Sequence, residues 1–121
     1  MNVASTAAFQ PGPLMAVYFA TKTYVLSFSE AIANELAPSG VYVTALCPGP
    51  TDTKFQDRAF GNESFFKSAM TAEAVAKIGY AAMMKKKRVV IPGLKNKLLA
   101  FSVRFTPRNI VTAIARKMFE K

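Results

Sequence analysis

The segment VYVTALC, Val41 to Cys47, constrains this chain more than any other. It is nearly all apolar, rich in β-branched residues, and stopped at once by Pro48, Gly49 and Pro50. A run with no polar face suits a strand buried on both sides, as in parallel sheets. A parallel strand reaches its neighbours only through long crossovers, usually helices. The flanking sequence should therefore alternate between short apolar runs and helical periodicity.

It does. MNVAS reads as the end of a short buried strand, and RVVIPG as another, closed by Pro92 and Gly93. TAAFQPGP is a loop marked by Pro11, Gly12 and Pro13. A helical pattern runs from about Leu14 to Leu36. Its apolar residues, from Val17 and Ala20 through Tyr24, Leu26 and Phe28 to Ile32, leave few polar gaps. That predicts a helix covered on more than one side. Pro38 cannot continue it, and Gly40 permits the turn beyond.

TAEAVAKIGYAAMMKKK predicts a second helix, with Thr71 as its cap, Glu73 in the first turn and lysines in the last. Two more helices are expected, about Lys95 to Phe105 and Pro107 to Phe119, with Pro107 suited to a first turn. The order is strand, helix, strand, helix, strand, helix, helix. Such alternation argues for an α/β fold with a parallel sheet. Three strands make a thin sheet, and a strand at residue 1 implies neighbours. The chain is therefore expected to be the C-terminal half of a larger domain.

Composition removes several function classes. With one cysteine, Cys47, and no histidine, neither an internal disulfide nor a zinc site is expected. Cys47 reads as a small buried apolar residue and not as a nucleophile, since nothing suggests a base beside it. MNVASTAAFQPGP lacks the basic start and apolar core of a secretory signal, and no apolar run is long enough to span a bilayer. A cytoplasmic setting is the default. The net charge of +9 is uneven: residues 1–84 carry five basic and six acidic side chains, residues 85–121 eleven and one. Any anionic partner must be argued from that basic third.

Tyr18 and Lys22 stand four apart, on one face of the expected first helix. Alone, the spacing is weak, and a surface tyrosine beside a solvated lysine explains it as well. Position strengthens it. In parallel α/β sheets ligands bind beyond the carboxyl ends of the strands. Ser5 falls at one such end, Pro48–Gly49 at the next, and Tyr18 near the start of the helix between them.

NVASTAAF, YFATK, SEAIANELAPSGVYVTALCPGPTDT and RVVIPG together resemble the short-chain dehydrogenase/reductase family over nearly the whole chain, but only that family's second half. The resemblance implies the C-terminal part of a Rossmann-like doubly wound parallel sheet, lacking the N-terminal dinucleotide-binding strands. It implies one partial domain over 1–121: a catalytic half to residue 93, then basic helices over 94–121. It also implies NAD or NADP as cofactor and hydride transfer to or from a carbonyl or secondary alcohol.

The roles implied for the residues are consistent with their chemistry. A free phenol ionises at about pH 10 and is a poor acid or base at neutrality. A neighbouring ammonium favours the phenolate. By resemblance, Tyr18 moves the proton, Lys22 assists it and binds the nicotinamide ribose, and Ser5 holds the substrate oxygen. Pro48, Gly49, Thr51 and Thr53 would lie along the nicotinamide and phosphates, with Gly49 permitting close backbone approach. For the two threonines, ordinary turn or capping chemistry is an equal alternative.

The sequence departs from the family in having no glycine-rich pyrophosphate turn and no catalytic asparagine upstream of Ser5. The expectation is a truncated oxidoreductase, inactive alone. The alternatives are a catalytically inactive remnant and a membrane-surface interaction module. Expected partners are a small, lipophilic carbonyl or alcohol substrate and a second copy of the complete protein as a dimer, with peripheral membrane contact open. Nucleic acid is not expected, because the aromatic residues of the basic third follow helical spacing and form no strand platform.

Overall fold

A strand–helix–strand unit over residues 2–46 organises the computed structural model, which describes residues 1–55, 58 and 69–120. In chain order the elements are β1 (Asn2–Val3), α1 (Ala16–Leu36), β2 (Ala45–Leu46), β3 (Thr51–Asp52), β4 (Met70–Thr71), α2 (Ala72–Met84), β5 (Val89–Val90), α3 (Leu94–Ser102) and α4 (Arg108–Phe119). Single 3-10 turns occupy Thr6–Phe9, Ala37–Ser39 and Val103–Phe105.

β1, β2 and β5 form one parallel sheet with β2 in the middle. Asn2 pairs with Ala45 and Ala45 with Val89; Val3 pairs with Leu46 and Leu46 with Val90. The strand period of two sends alternate residues of β2 to opposite faces. Ala45 and Cys47 join Leu26 of α1 with Ala4 and Ala8. Leu46 joins Val75 and Ala82 of α2 with Val90. Both faces of the sheet are thus covered, as a near-continuous apolar strand requires. Each large apolar side chain buried in this way contributes about 1.5–3 kcal/mol.

Both crossovers step the same way across the sheet, from β1 to β2 and from β2 to β5, yet α1 and α2 lie on opposite faces. The two connections therefore have opposite hands, and one departs from the usual right-handed rule. The second connection makes a detour through β3 and β4, which pair parallel with each other, Thr51 with Met70 and Asp52 with Thr71. Gly79 lets α2 sit close on the sheet: a Cβ there would lie 2.8 Å from Leu46 Cδ2.

The structure corrects several expectations. The strand expected over Val41 to Cys47 is ladder-paired only at Ala45–Leu46, although Thr44 is buried and its hydroxyl donates to the Lys87 carbonyl at 2.7 Å. β3 and β4 were not expected. α1 starts at Ala16 and not at Leu14, because Leu14 takes φ 67°, outside helical space. The expected third helix ends at Ser102 and tightens into a 3-10 turn, and Pro107 caps α4 from outside its first turn.

Thr71 does cap α2, accepting from Ala74 N at 3.2 Å, and Glu73 lies in the first turn. The lysines lie beyond its end, Lys85 being the C-cap. The helix expected to be covered on more than one side is covered on one. Phe19, Leu26, Ser29 and Ala33 are buried, but Val17 is 79% exposed and Tyr24 67%. The sheet is what α1 packs on, and among the described residues no layer lies over its outer apolar side chains.

No described helix is long and apolar enough to cross a membrane. Among the described residues, no group of three His, Cys, Asp or Glu side chains could hold a metal ion.

Candidate active site

The carboxyl ends of β1 and β2 are tied together just beyond their pairing. Ala4 N donates to Leu46 O at 2.7 Å, and Thr6 N to Pro48 O at 2.9 Å. Ser5 lies between these links in extended backbone and caps the 3-10 turn that follows, its Oγ accepting from Ala7 N at 3.1 Å. The same hydroxyl donates to Pro48 O at 3.4 Å. Ser5 and Pro48–Gly49, distant in sequence, thus share one edge of the sheet.

α1 starts at that edge. Thr23 Oγ1 donates to the Ala8 carbonyl at 3.1 Å, fastening the helix to the turn after Ser5. Tyr18 and Lys22 lie in its first two turns, both half-buried, with the Lys22 ammonium 5.8 Å from the Tyr18 ring centroid. Lys22 Nζ also donates to Val3 O at 3.4 Å, two residues before Ser5. Within β1, Asn2 N and Ala4 N point toward β2, as their bonds to Thr44 and Leu46 show. The Val3 carbonyl therefore faces the sheet's open edge, and Lys22 reaches around that edge to it.

The Tyr18 ring is held by aromatic neighbours. It stacks on Phe55 at 5.5 Å and 27°, and meets Phe19 edge-on at 5.9 Å. Phe19 in turn meets Phe119 of α4 edge-on at 5.7 Å. The Tyr18 hydroxyl makes no hydrogen bond to any described residue, so it is free to meet a ligand.

The Pro48–Gly49 loop is held from the other side by Asn96 of α3. Asn96 Nδ2 donates to Pro92 O at 2.8 Å, and a Cβ on Gly49 would collide with this amide. Sequence reading passed over Asn96. A polar residue on a helix with no other cue looks like solvent-facing surface, and the single glycine before it, Gly93, gave no hint of a close approach to Gly49. Thr51 Oγ1 donates to Gly49 O at 3.0 Å and so stiffens the loop. Thr53 Oγ1 accepts from Phe55 N at 3.3 Å. Both threonines therefore make turn contacts, the alternative weighed equally from sequence.

Cys47, at the end of β2, has no exposed surface. Burial pushes its thiol up from 9.0 to about 11, the nearby Glu30 charge adds to this, and a hydrogen bond with the Ser5 backbone opposes it. A thiol held protonated in this way is inert, as its apolar surroundings led us to expect.

The arrangement places a phenol, an ammonium, a hydroxyl and a backbone loop at one sheet edge. The ammonium and the loop fit a sugar hydroxyl and an amide, the polar groups at the nicotinamide end of a dinucleotide. No glycine-rich turn in the sequence fits the pyrophosphate.

The family model described as short chain dehydrogenase matches residues 1–64. A ketoacyl reductase assigned to the monensin polyketide synthase of Streptomyces virginiae is 48% identical over 58 residues, covering 48% of this chain and 22% of that protein. The structure of a short-chain dehydrogenase from Sphingobium yanoikuyae in complex with NADPH superposes with a TM-score of 0.70 at 30% identity, over 86% of this chain and 41% of that one. One from Burkholderia cenocepacia in complex with NADP gives 0.75 at 24% identity, over 94% and 46%, a likeness of fold. The chain spans less than half the length of each of these relatives.

Proposed function

Because this chain belongs to the short chain dehydrogenase family, we propose that it is the acid–base and nicotinamide-side half of an NAD(P)-dependent oxidoreductase acting on a small carbonyl or secondary alcohol. The observation that carries this reading is the meeting of Ser5, Tyr18, Lys22 and Pro48–Gly49 at the carboxyl edge of one parallel sheet.

A bound nicotinamide supplies or accepts the hydride; the chain's own residues do the rest. Ser5 Oγ holds the substrate oxygen beside the Tyr18 hydroxyl. Tyr18 gives that oxygen a proton in the reductive direction and takes it back in the oxidative one. The Lys22 ammonium provides positive charge beside the phenol as the proton leaves, and hydrogen-bonds the ribose. Pro48 and Gly49 let the backbone approach the nicotinamide, and Thr51 and Thr53 shape the loop around it.

The complete enzyme is proposed as a cytoplasmic homodimer whose substrate is lipophilic, in line with the apolar surface exposed on α1 and α3. Because the chain spans less than half the length of these relatives, catalysis is proposed to depend on a dinucleotide-binding half. A non-catalytic remnant is the second reading, favoured by the lack of a glycine-rich turn.

The test is NADPH- and NADH-dependent reduction of a small ketone by the protein joined to its dinucleotide-binding half, and by its Tyr18→Phe variant. Loss of the proton donor should lower turnover by about 10²–10⁴-fold and leave cofactor affinity unchanged. Undiminished turnover in the variant overturns the assignment. Cofactor binding without turnover in the parent supports the remnant.

A further inference from the structure

The cations of the C-terminal third do not share one surface, because β5 divides them. Lys85, Lys86, Lys87 and Arg88 precede β5 and lie at the amino edge, where the Arg88 carbonyl accepts from Ala45 N at 2.7 Å. Lys95, Lys97, Arg104, Arg108, Arg116 and Lys117 follow β5, on or beside α3 and α4. Those helices are tied to the carboxyl edge through Asn96 at Gly49 and Phe119 at Phe19.

Four consecutive cations exceed what the end of α2 needs to offset its dipole, an effect confined to the last turn. All four are exposed. Among the described residues the salt bridges are Glu73–Lys77 and Arg116–Glu120, so none of the four is neutralised by a carboxylate. Lys86 takes φ 58°, and its ammonium lies 4.2 Å over the Tyr42 ring centroid. Ala33, Ala37, Tyr42, Val43, Lys86 and Arg88 line a hollow of about 110 Å³. Val41, Tyr42, Tyr80 and Met84 are exposed apolar side chains on the neighbouring segments.

We propose that this amino edge docks on an anionic phospholipid surface. Lys85, Lys86, Lys87 and Arg88 face the headgroups, and the hollow between Lys86 and Arg88 takes one headgroup phosphate. Clusters of four or more cations at an amphipathic helix suit such a surface, and tyrosine favours the lipid–water boundary. Single-stranded nucleic acid fits less well, since bases need a series of open rings to stack on and Lys86 already covers Tyr42, leaving Tyr80 as the one uncovered ring of these two tyrosines. Docked this way, Tyr18 and Lys22 face away from the lipid and stay open to water-borne ligands. The proposal does not depend on the oxidoreductase reading.

The test is co-sedimentation of the chain with phosphatidylcholine vesicles, with and without a third of phosphatidylglycerol. Binding is expected only to the anionic vesicles and should fall steeply with added salt. Each cation near such a surface is worth about fivefold in affinity, so Lys85→Gln/Lys86→Gln/Arg88→Gln should weaken binding by about a hundredfold. Lys86→Arg should retain it, as should Lys95→Gln/Lys97→Gln on α3. If circular dichroism shows the triple variant unfolded, Lys85→Gln and Arg88→Gln are measured singly, each expected to lose about fivefold. The proposal is overturned by equal binding to neutral vesicles, by no binding at low salt, or by a loss that follows Lys95 and Lys97 instead. Tighter retention of single-stranded RNA through the same cations also overturns it.

Discussion

The side-chain amide of Asn96 occupies the space that a Cβ on Gly49 would need, so α3 and the Pro48–Gly49 loop are fitted to each other. Gly49→Ala must push Asn96 away and break its 2.8 Å bond to the Pro92 carbonyl. A lost bond of this kind costs about 1–2 kcal/mol. Asn96→Ala removes the same bond but leaves room for the new methyl. The double variant should therefore be more stable than the sum of the single losses, by at least about 0.5 kcal/mol in urea unfolding. Simple additivity would show that the two residues are not in contact.

Gly79 poses a question of sign. In an open helix, Gly→Ala stabilises by about 1 kcal/mol. Here the new methyl lies 2.8 Å from Leu46 Cδ2, within the buried layer under α2. Overpacking of that kind costs about 1–3 kcal/mol and should outweigh the helical gain. Gly79→Ala is therefore expected to lower the melting temperature. A rise would mean that α2 sits farther from the sheet.

Cys47 should make stability depend on alkaline pH. Its thiol is raised in the folded chain, from 9.0 to about 11. The unfolded chain then releases its proton first, so the contribution is complete below pH 9 and is lost as pH rises toward 11. The loss amounts to about 3 kcal/mol at most. Urea midpoints should decline more steeply for the parent than for Cys47→Ala over this window. Matching slopes would contradict the burial of the thiol, as would rapid labelling of Cys47 by a thiol reagent in the folded chain.

Lys22 holds the Val3 carbonyl at the open edge of β1 at 3.4 Å, beside a half-buried phenol. An exposed contact of this kind contributes little, so Lys22→Met should shift stability by less than about 1 kcal/mol. A much larger loss in urea unfolding would mark Lys22 as a structural residue, contrary to its proposed role.

The residues of the candidate site stood out in the sequence because few residue types can do the work proposed for them. Thr44 to Cys47 is covered on both faces as its apolar run implied, which put Ser5 and Pro48 at one edge. Val41 and Tyr42, read as part of the same strand, are exposed and unpaired. The short pair β3 and β4 was not legible: Thr51–Asp52 and Met70–Thr71 carry no apolar alternation, and their pairing depends on tertiary context. Asn96 was missed for a similar reason, since its partners are a backbone carbonyl and a glycine far away in sequence. The apolar run of α1 was read as burial on several sides. Sequence hydrophobicity reports what could be covered, while the described residues cover the side that meets the sheet and leave Val17 and Tyr24 exposed.

The central claim is that the carboxyl edge at Tyr18, Lys22 and Gly49 receives the nicotinamide end of a dinucleotide. Reduced nicotinamide mononucleotide carries that end and no adenosine half, so its titration into the labelled chain, followed by amide chemical shifts, tests the claim most directly. The account predicts saturable shifts at Ser5, Lys22, Gly49, Thr51 and Thr53, and their loss in Lys22→Met. Shifts absent up to millimolar ligand, or centred on other residues, would contradict it.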